Sequence, residues 1–108
     1  MSRVSKNKKV TATREEAERI ASRIMQGTGF RVGEYSDGTR VWYKSGGLGT
    51  QQYYIYVDVM GGYLTVEAWD IIVGNFGREN ALNPLMAGLT LNPFITRSLM
   101  NKIYGAIN

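Results

Sequence analysis

Two carboxylates, Asp58 and Glu67, fall among Tyr54, Tyr56, Tyr63 and Trp69 in a stretch that reads as two strands reversing at Gly61-Gly62. Carboxylates held together on one face can divide general-acid and general-base roles, because their environments push their proton affinities apart. The spacing works against that chemistry here. A Gly-Gly pair between alternating strands predicts a two-residue turn, since both turn positions need positive φ. Met60 then pairs with Tyr63, and the pairs run outward as Val59–Leu64, Asp58–Thr65, Val57–Val66, Tyr56–Glu67, Ile55–Ala68 and Tyr54–Trp69. Asp58 and Glu67 share a face without facing each other, and solvated sheet-face charges are the simpler reading. Asp70 pairs with Tyr53 on the opposite face, where a hydrogen bond to that tyrosine or a helix-terminus contact accounts for it better than catalysis. The chain has no histidine and no cysteine. That removes the commonest acid–base group, the thiol nucleophile, and thiolate or imidazole metal sites. No catalytic, cofactor or metal-ligand set emerges, and the chain is read as non-enzymatic.

The same hairpin has one aliphatic face and one aromatic face. Cross-strand partners share a face, and faces alternate along a strand. Val59, Leu64, Val57, Val66, Ile55 and Ala68 form the first, which belongs in the core. A one-residue slip would exchange the faces, so burial holds the register. Tyr54, Tyr56, Met60, Tyr63 and Trp69 dominate the second. These rigid amphipathic residue types are enriched at protein interfaces, and they form the expected contact surface. Three readings stay open for it: a half-wet face, an interface, or a surface covered by residues 74–90. Base stacking on a sheet also uses aromatics, but Asp58 and Glu67 would repel phosphate.

The formal net charge of +4 belongs to the start of the chain. Arg3, Lys6, Lys8 and Lys9 supply it, and later charges cancel. Residues 1–11 are expected to be a flexible basic tail, and 12–108 a single domain. An anionic contact by Arg3, Lys6, Lys8 and Lys9 is the alternative function, with nucleic acid a less favoured partner. No apolar run reaches membrane-spanning length. No apolar stretch follows the basic start, so no signal peptide is expected. The missing cysteine fits a cytoplasmic protein.

The elements that must carry these faces can be placed. Thr13-Arg14-Glu15-Glu16 has the capping-box pattern. Ala17, Ile20, Ala21 and Ile24 then recur at helical spacing, and Gly27 is a plausible C-cap. A first hairpin follows, with Phe30–Tyr35 and Arg40–Lys44 flanking Ser36-Asp37-Gly38-Thr39. Val41 and Tyr43 share a face there, opposed to Trp42 and Lys44. Ser45-Gly46-Gly47-Leu48-Gly49-Thr50 lacks the ending of a phosphate-binding loop, and a strand follows it where such a loop needs a helix. It reads as a connection. Gly74–Thr90 is long for a linker, with Phe76, Leu82, Leu85, Met86 and Leu89 able to pin it down. Asn92-Pro93 opens a second helix, Asn as N-cap, with Ile95, Leu99 and Ile103 on one stripe. The order helix, four strands, helix predicts an α+β two-layer sandwich. It is a four-stranded antiparallel meander with both helices on the aliphatic face (α-β-β-β-β-α).

Residues 30–103 also resemble a small bacterial domain family of uncharacterised function, some members of which carry an N-terminal zinc ribbon. The likeness rests on Val41-Trp42-Tyr43-Lys44 running into Gly46-Gly47-Leu48-Gly49, on Tyr53-Tyr54-Ile55-Tyr56-Val57 and Leu64-Thr65-Val66-Glu67-Ala68-Trp69, and on Gly88-Leu89-Thr90 before the Pro-initiated helix. The ribbon is absent here, and Phe94-Ile95-Thr96 stands where the family usually has basic residues. The resemblance implies a fold pattern and no catalytic residues. The expectation that results is a binding or assembly module acting through the aromatic face, with a protein partner or a second copy as its ligand.

Overall fold

The computed structural model describes residues 3–46, 51–72, 77–82 and 91–108. Its elements are β1 (Val4–Lys9), α1 (Arg14–Met25), β2 (Arg31–Glu34), β3 (Arg40–Ser45), β4 (Gln51–Met60), β5 (Tyr63–Ile72), β6 (Glu79–Asn80) and α2 (Asn92–Ala106). The architecture is α+β, with two helices on one face of an antiparallel sheet. Among the described residues no helix is long and apolar enough to cross a membrane.

The central hairpin has the register that its turn dictates. Gly61 and Gly62 take φ of +59° and +82°, and every pair from Met60–Tyr63 to Tyr53–Asp70 follows. Ile55, Leu64, Val66 and Ala68 are fully buried beneath Ala17, Ala21 and Met25 of α1 and Leu99, Met100 and Ile103 of α2. Small alanines on α1 let that helix approach the sheet closely. Its start is fixed by the full capping box, with Thr13 accepting from the Glu16 amide and Glu16 from the Thr13 amide. Gln26 closes it, and Gly27 follows at φ +75°. In the first hairpin Tyr35 pairs with Thr39 across a three-residue loop that ends on Gly38 at φ +85°.

Three expectations need correction. The sheet exceeds four strands: its order is β1-β5-β4-β3-β2, with β6 also on β5. The predicted meander is present, but the segment expected to be a flexible tail is β1, paired with β5 from Val4–Ala68 to Lys9–Tyr63. Its lysines made it look like a tail, yet lysine is also what an exposed edge strand carries to resist pairing with other chains. Asn92 is the first residue of α2 and Leu91 its cap, without a side-chain capping bond. The glycine-rich residues 47–50, and Phe76, Leu85, Met86 and Gly88-Leu89-Thr90 of the long connection, lie outside the described residues. Leu82 of that connection is fully buried in the core.

Candidate functional site: an aromatic face with a closed root and an open tip

Side-chain alternation puts Arg3, Ser5, Tyr43, Tyr54, Tyr56, Asp58, Met60, Tyr63, Glu67 and Trp69 on the face away from the helices. At its root the rings lock together. Tyr54 and Trp69, cross-strand partners, stack at 5.4 Å and 17°, and Tyr35 meets each edge-on, at 4.9 Å and 5.1 Å. Tyr35 follows β2, three strands from β5. In a flat sheet that separation is about 14 Å. The end of the first hairpin therefore bends over this face, and Tyr35 acts as its lid.

Arg3 completes the closure. One residue before β1, it falls on the aromatic side opposite Trp69, and its guanidinium carbon sits 3.5 Å from the Trp69 ring centroid. It forks onto Glu79 of β6 through Nε (2.8 Å) and Nη2 (2.7 Å), and Nη1 reaches Glu67 at 3.0 Å. Tyr35 donates its hydroxyl to Glu79 Oε2 at 2.7 Å, and Ser5 donates to Glu67. The hydrogen bonds to Glu79, ahead of the cost of burial, hold the Arg3 proton even more tightly than usual. Burial first, then the bond to Glu79, pushes the Tyr35 hydroxyl up to about 12. Trp69 is completely buried in this cluster.

Farther along, Asp58 is held by Arg14 of α1 (Nε–Oδ1 2.9 Å) and accepts from the Tyr56 hydroxyl at 3.2 Å. Both candidate acid–base carboxylates are thus committed to cations and hydroxyls. Burial, with the Asp58 charge after it, raises the Tyr56 proton affinity. At the tip the face opens: Met60 is 70% and Tyr63 55% exposed.

The five aromatic-face residues singled out from sequence therefore divide. Trp69 is sealed, Tyr54 and Tyr56 are half-buried, and Met60 and Tyr63 are open. Of the four tail cations, Arg3 is spent on the root, while Lys6 and Lys8 point to the helix side. Their ammonium groups lie 5.4 Å and 4.6 Å from the Tyr104 ring centroid of α2, and Lys9 is exposed. Sequence reasoning missed Tyr35 and Glu79. The first is placed by sheet curvature. The second is placed by a two-residue strand, too short to leave a periodic signal. Asp70 is buried opposite Tyr53 as expected, but neither of its oxygens has a hydrogen-bond partner of good geometry among the described residues. Burial raises its proton affinity. Among the described residues no cluster of histidine, cysteine or carboxylates could hold a metal ion.

Comparison with protein-family models, with curated proteins and with solved structures finds no match to this chain. The family likeness drawn from its motifs rests on those motifs alone.

Proposed function

We propose that this chain is a non-enzymatic binding or assembly module that makes its contacts through the aromatic sheet face. The uneven burial of that face carries the reading. Tyr54, Trp69 and Tyr35 form a packed root, and Met60 and Tyr63 extend from it as an exposed cross-strand pair on the longest hairpin of the sheet. A methionine and a tyrosine displayed on a stiff two-glycine turn lose little conformational freedom on contact, which favours their use as anchors. The carboxylates nearest them are already paired, which supports binding over acid–base chemistry. Changing Met60 and Tyr63 together to serine tests it. Melting temperature should hold, while capture of a partner or self-association is lost. Intact association would refute the assignment of the face.

One observation favours a second reading, an anionic-surface binder. Lys6 and Lys8 flank Tyr104 on an ordered edge, a basic and aromatic combination suited to phosphate-bearing ligands. Binding to generic DNA that falls steeply with salt and vanishes on removing Lys6, Lys8 and Lys9 would support it. Indifference to DNA at low salt would exclude it.

A further inference from the structure

The sheet has an unfinished edge at its middle. β3 pairs with β4 only as far as Trp42 opposite Ile55, whereas β4 runs on to Met60. From Tyr56 to Met60, β4 has no neighbour on that side among the described residues. The turn decides which backbone groups point there. Residues flanking a two-residue hairpin turn exchange hydrogen bonds, and bonded and non-bonded pairs alternate along the ladder. Tyr56, Asp58 and Met60 therefore spend their N–H and C=O groups on β5. Val57 and Val59 direct theirs outward.

Beside this edge the divergence of β3 leaves a cavity of about 270 Å³, with Ala17, Ala21, Trp42 and Val57 in its wall and Arg14 and Arg40 at its rim. Val57 remains half-buried although its partner Val66 is fully buried. Arg14 starts on α1, over the aliphatic face, yet bonds Asp58 on the aromatic face. That contact crosses the line a neighbouring strand would occupy. Arg14 is 59% exposed and forms a surface ion pair, so it can swing aside at little cost.

We propose that the β4 edge at Val57–Val59 is a strand-addition site for an extended peptide segment that carries an apolar side chain flanked by acidic ones. The extended form follows from outward backbone groups on alternate residues, which only another strand matches in spacing. The apolar side chain follows from the cavity: the residue opposite Val57 shares its face and enters beside Trp42. The acidic flanks follow from the rim. Of its two ion pairs, Arg14–Asp58 and Arg40–Glu18, the arginines are the outer members, with side chains 59% and 60% exposed against 18% and 39% for the carboxylates. A second copy fits less well, because two-fold pairing of Val57 with Val59 sets Asp58 against its own counterpart, and directly opposed like charges destabilise a strand pair. This edge is distinct from the exposed Met60–Tyr63 pair, so the two readings fail separately.

Amide hydrogen exchange on the full chain provides the test, with acetyl-Glu-Val-Leu-Val-Glu-amide as the probe. Without peptide, the Val57 and Val59 amides should exchange far faster than those of Tyr56 and Asp58. The probe should slow them saturably, by about tenfold or more. The same peptide N-methylated on alternate residues should have no effect. A version with lysine in place of both glutamates should bind about tenfold more weakly. An Arg14→Ala, Arg40→Ala variant, which leaves Asp58 and Glu18 uncompensated at the rim, should reverse that preference in favour of the lysine version. Protection of Val57 and Val59 without peptide at low concentration, no saturable response, or equal binding of the methylated peptide would each overturn the proposal. Protection that appears only as protein concentration rises would replace the peptide with a second copy, and would also overturn it.

Discussion

Replacing Arg3 by alanine separates a docked strand from a loose tail. The guanidinium makes two charge-assisted bonds to Glu79 and one to Glu67, and covers the sealed Trp69 ring. Hydrogen bonds to charged groups contribute about 1.5–3 kcal/mol net when taken singly. These three act as a unit with a side chain one-quarter exposed, and the carboxylates keep Tyr35 and Ser5 as partners. The set is therefore assigned about 2 kcal/mol. The contact over a desolvated indole adds about 1–2 kcal/mol. A loss of about 3 kcal/mol follows. With an unfolding entropy of roughly 2.1 cal/mol/K per residue, it lowers the melting temperature by about 10–15 °C. Circular dichroism melts of wild type, Arg3→Ala and Lys9→Ala at neutral pH measure it. Lys9 is exposed and should change the midpoint little. Tryptophan emission of Arg3→Ala should also shift to the red as water reaches Trp69. An Arg3→Ala midpoint close to wild type, with unshifted emission, would show that the strand contributes nothing and that the root is not closed by Arg3.

Three further outcomes follow from burial. Val66→Asp places an unpaired charge in the fully buried aliphatic layer and should cost several kcal/mol, about 3 or more. Val57→Asp, beside the cavity, should cost clearly less in denaturant melts, and equal damage would contradict the open edge. Tyr35 and Tyr53 both have hydroxyls pushed up to about 12, chiefly by burial. Their folded pKa exceeds the unfolded value, so the stabilisation is complete below about pH 10 and is lost as pH rises through 12. Ultraviolet titration should show these two hydroxyls ionising only near pH 12, together with alkaline unfolding. The buried Asp70 carboxyl also has its proton affinity raised. Its contribution is present at low pH and lost as pH rises through the folded pKa. Asp70→Asn should therefore raise stability at neutral pH and remove that pH dependence, and a destabilised Asp70→Asn would reveal an ionic role for Asp70.

The parts of the fold visible in the sequence were those set by local rules. The Gly61-Gly62 turn dictated ten cross-strand pairs, and Thr13 with Glu16 dictated where α1 begins. The aliphatic and aromatic faces followed from alternation alone. What escaped depends on distant segments. β1 has a weak alternation pattern, and it is anchored by Arg3 to residues more than sixty positions away. Whether Trp69 is a contact residue or a sealed one depends on Tyr35 arriving from a bent hairpin and Glu79 from β6. Strand propensity cannot distinguish these cases, because a tryptophan suits an interface and a closed cluster equally well. Met60 and Tyr63 stay open because the hairpin tip extends beyond the reach of Tyr35 and Arg3.

Site-specific photo-crosslinking tests the role of the aromatic face most directly. A benzophenone side chain placed at Tyr63, at the open tip, is compared in living cells with one at Arg19, exposed on α1. Contact through the aromatic face predicts a discrete adduct from position 63, with a partner or a second copy, that is absent from position 19 and lost when Met60 is also changed to serine. Equal labelling from both positions, or none from position 63 in a protein that remains folded, would contradict it.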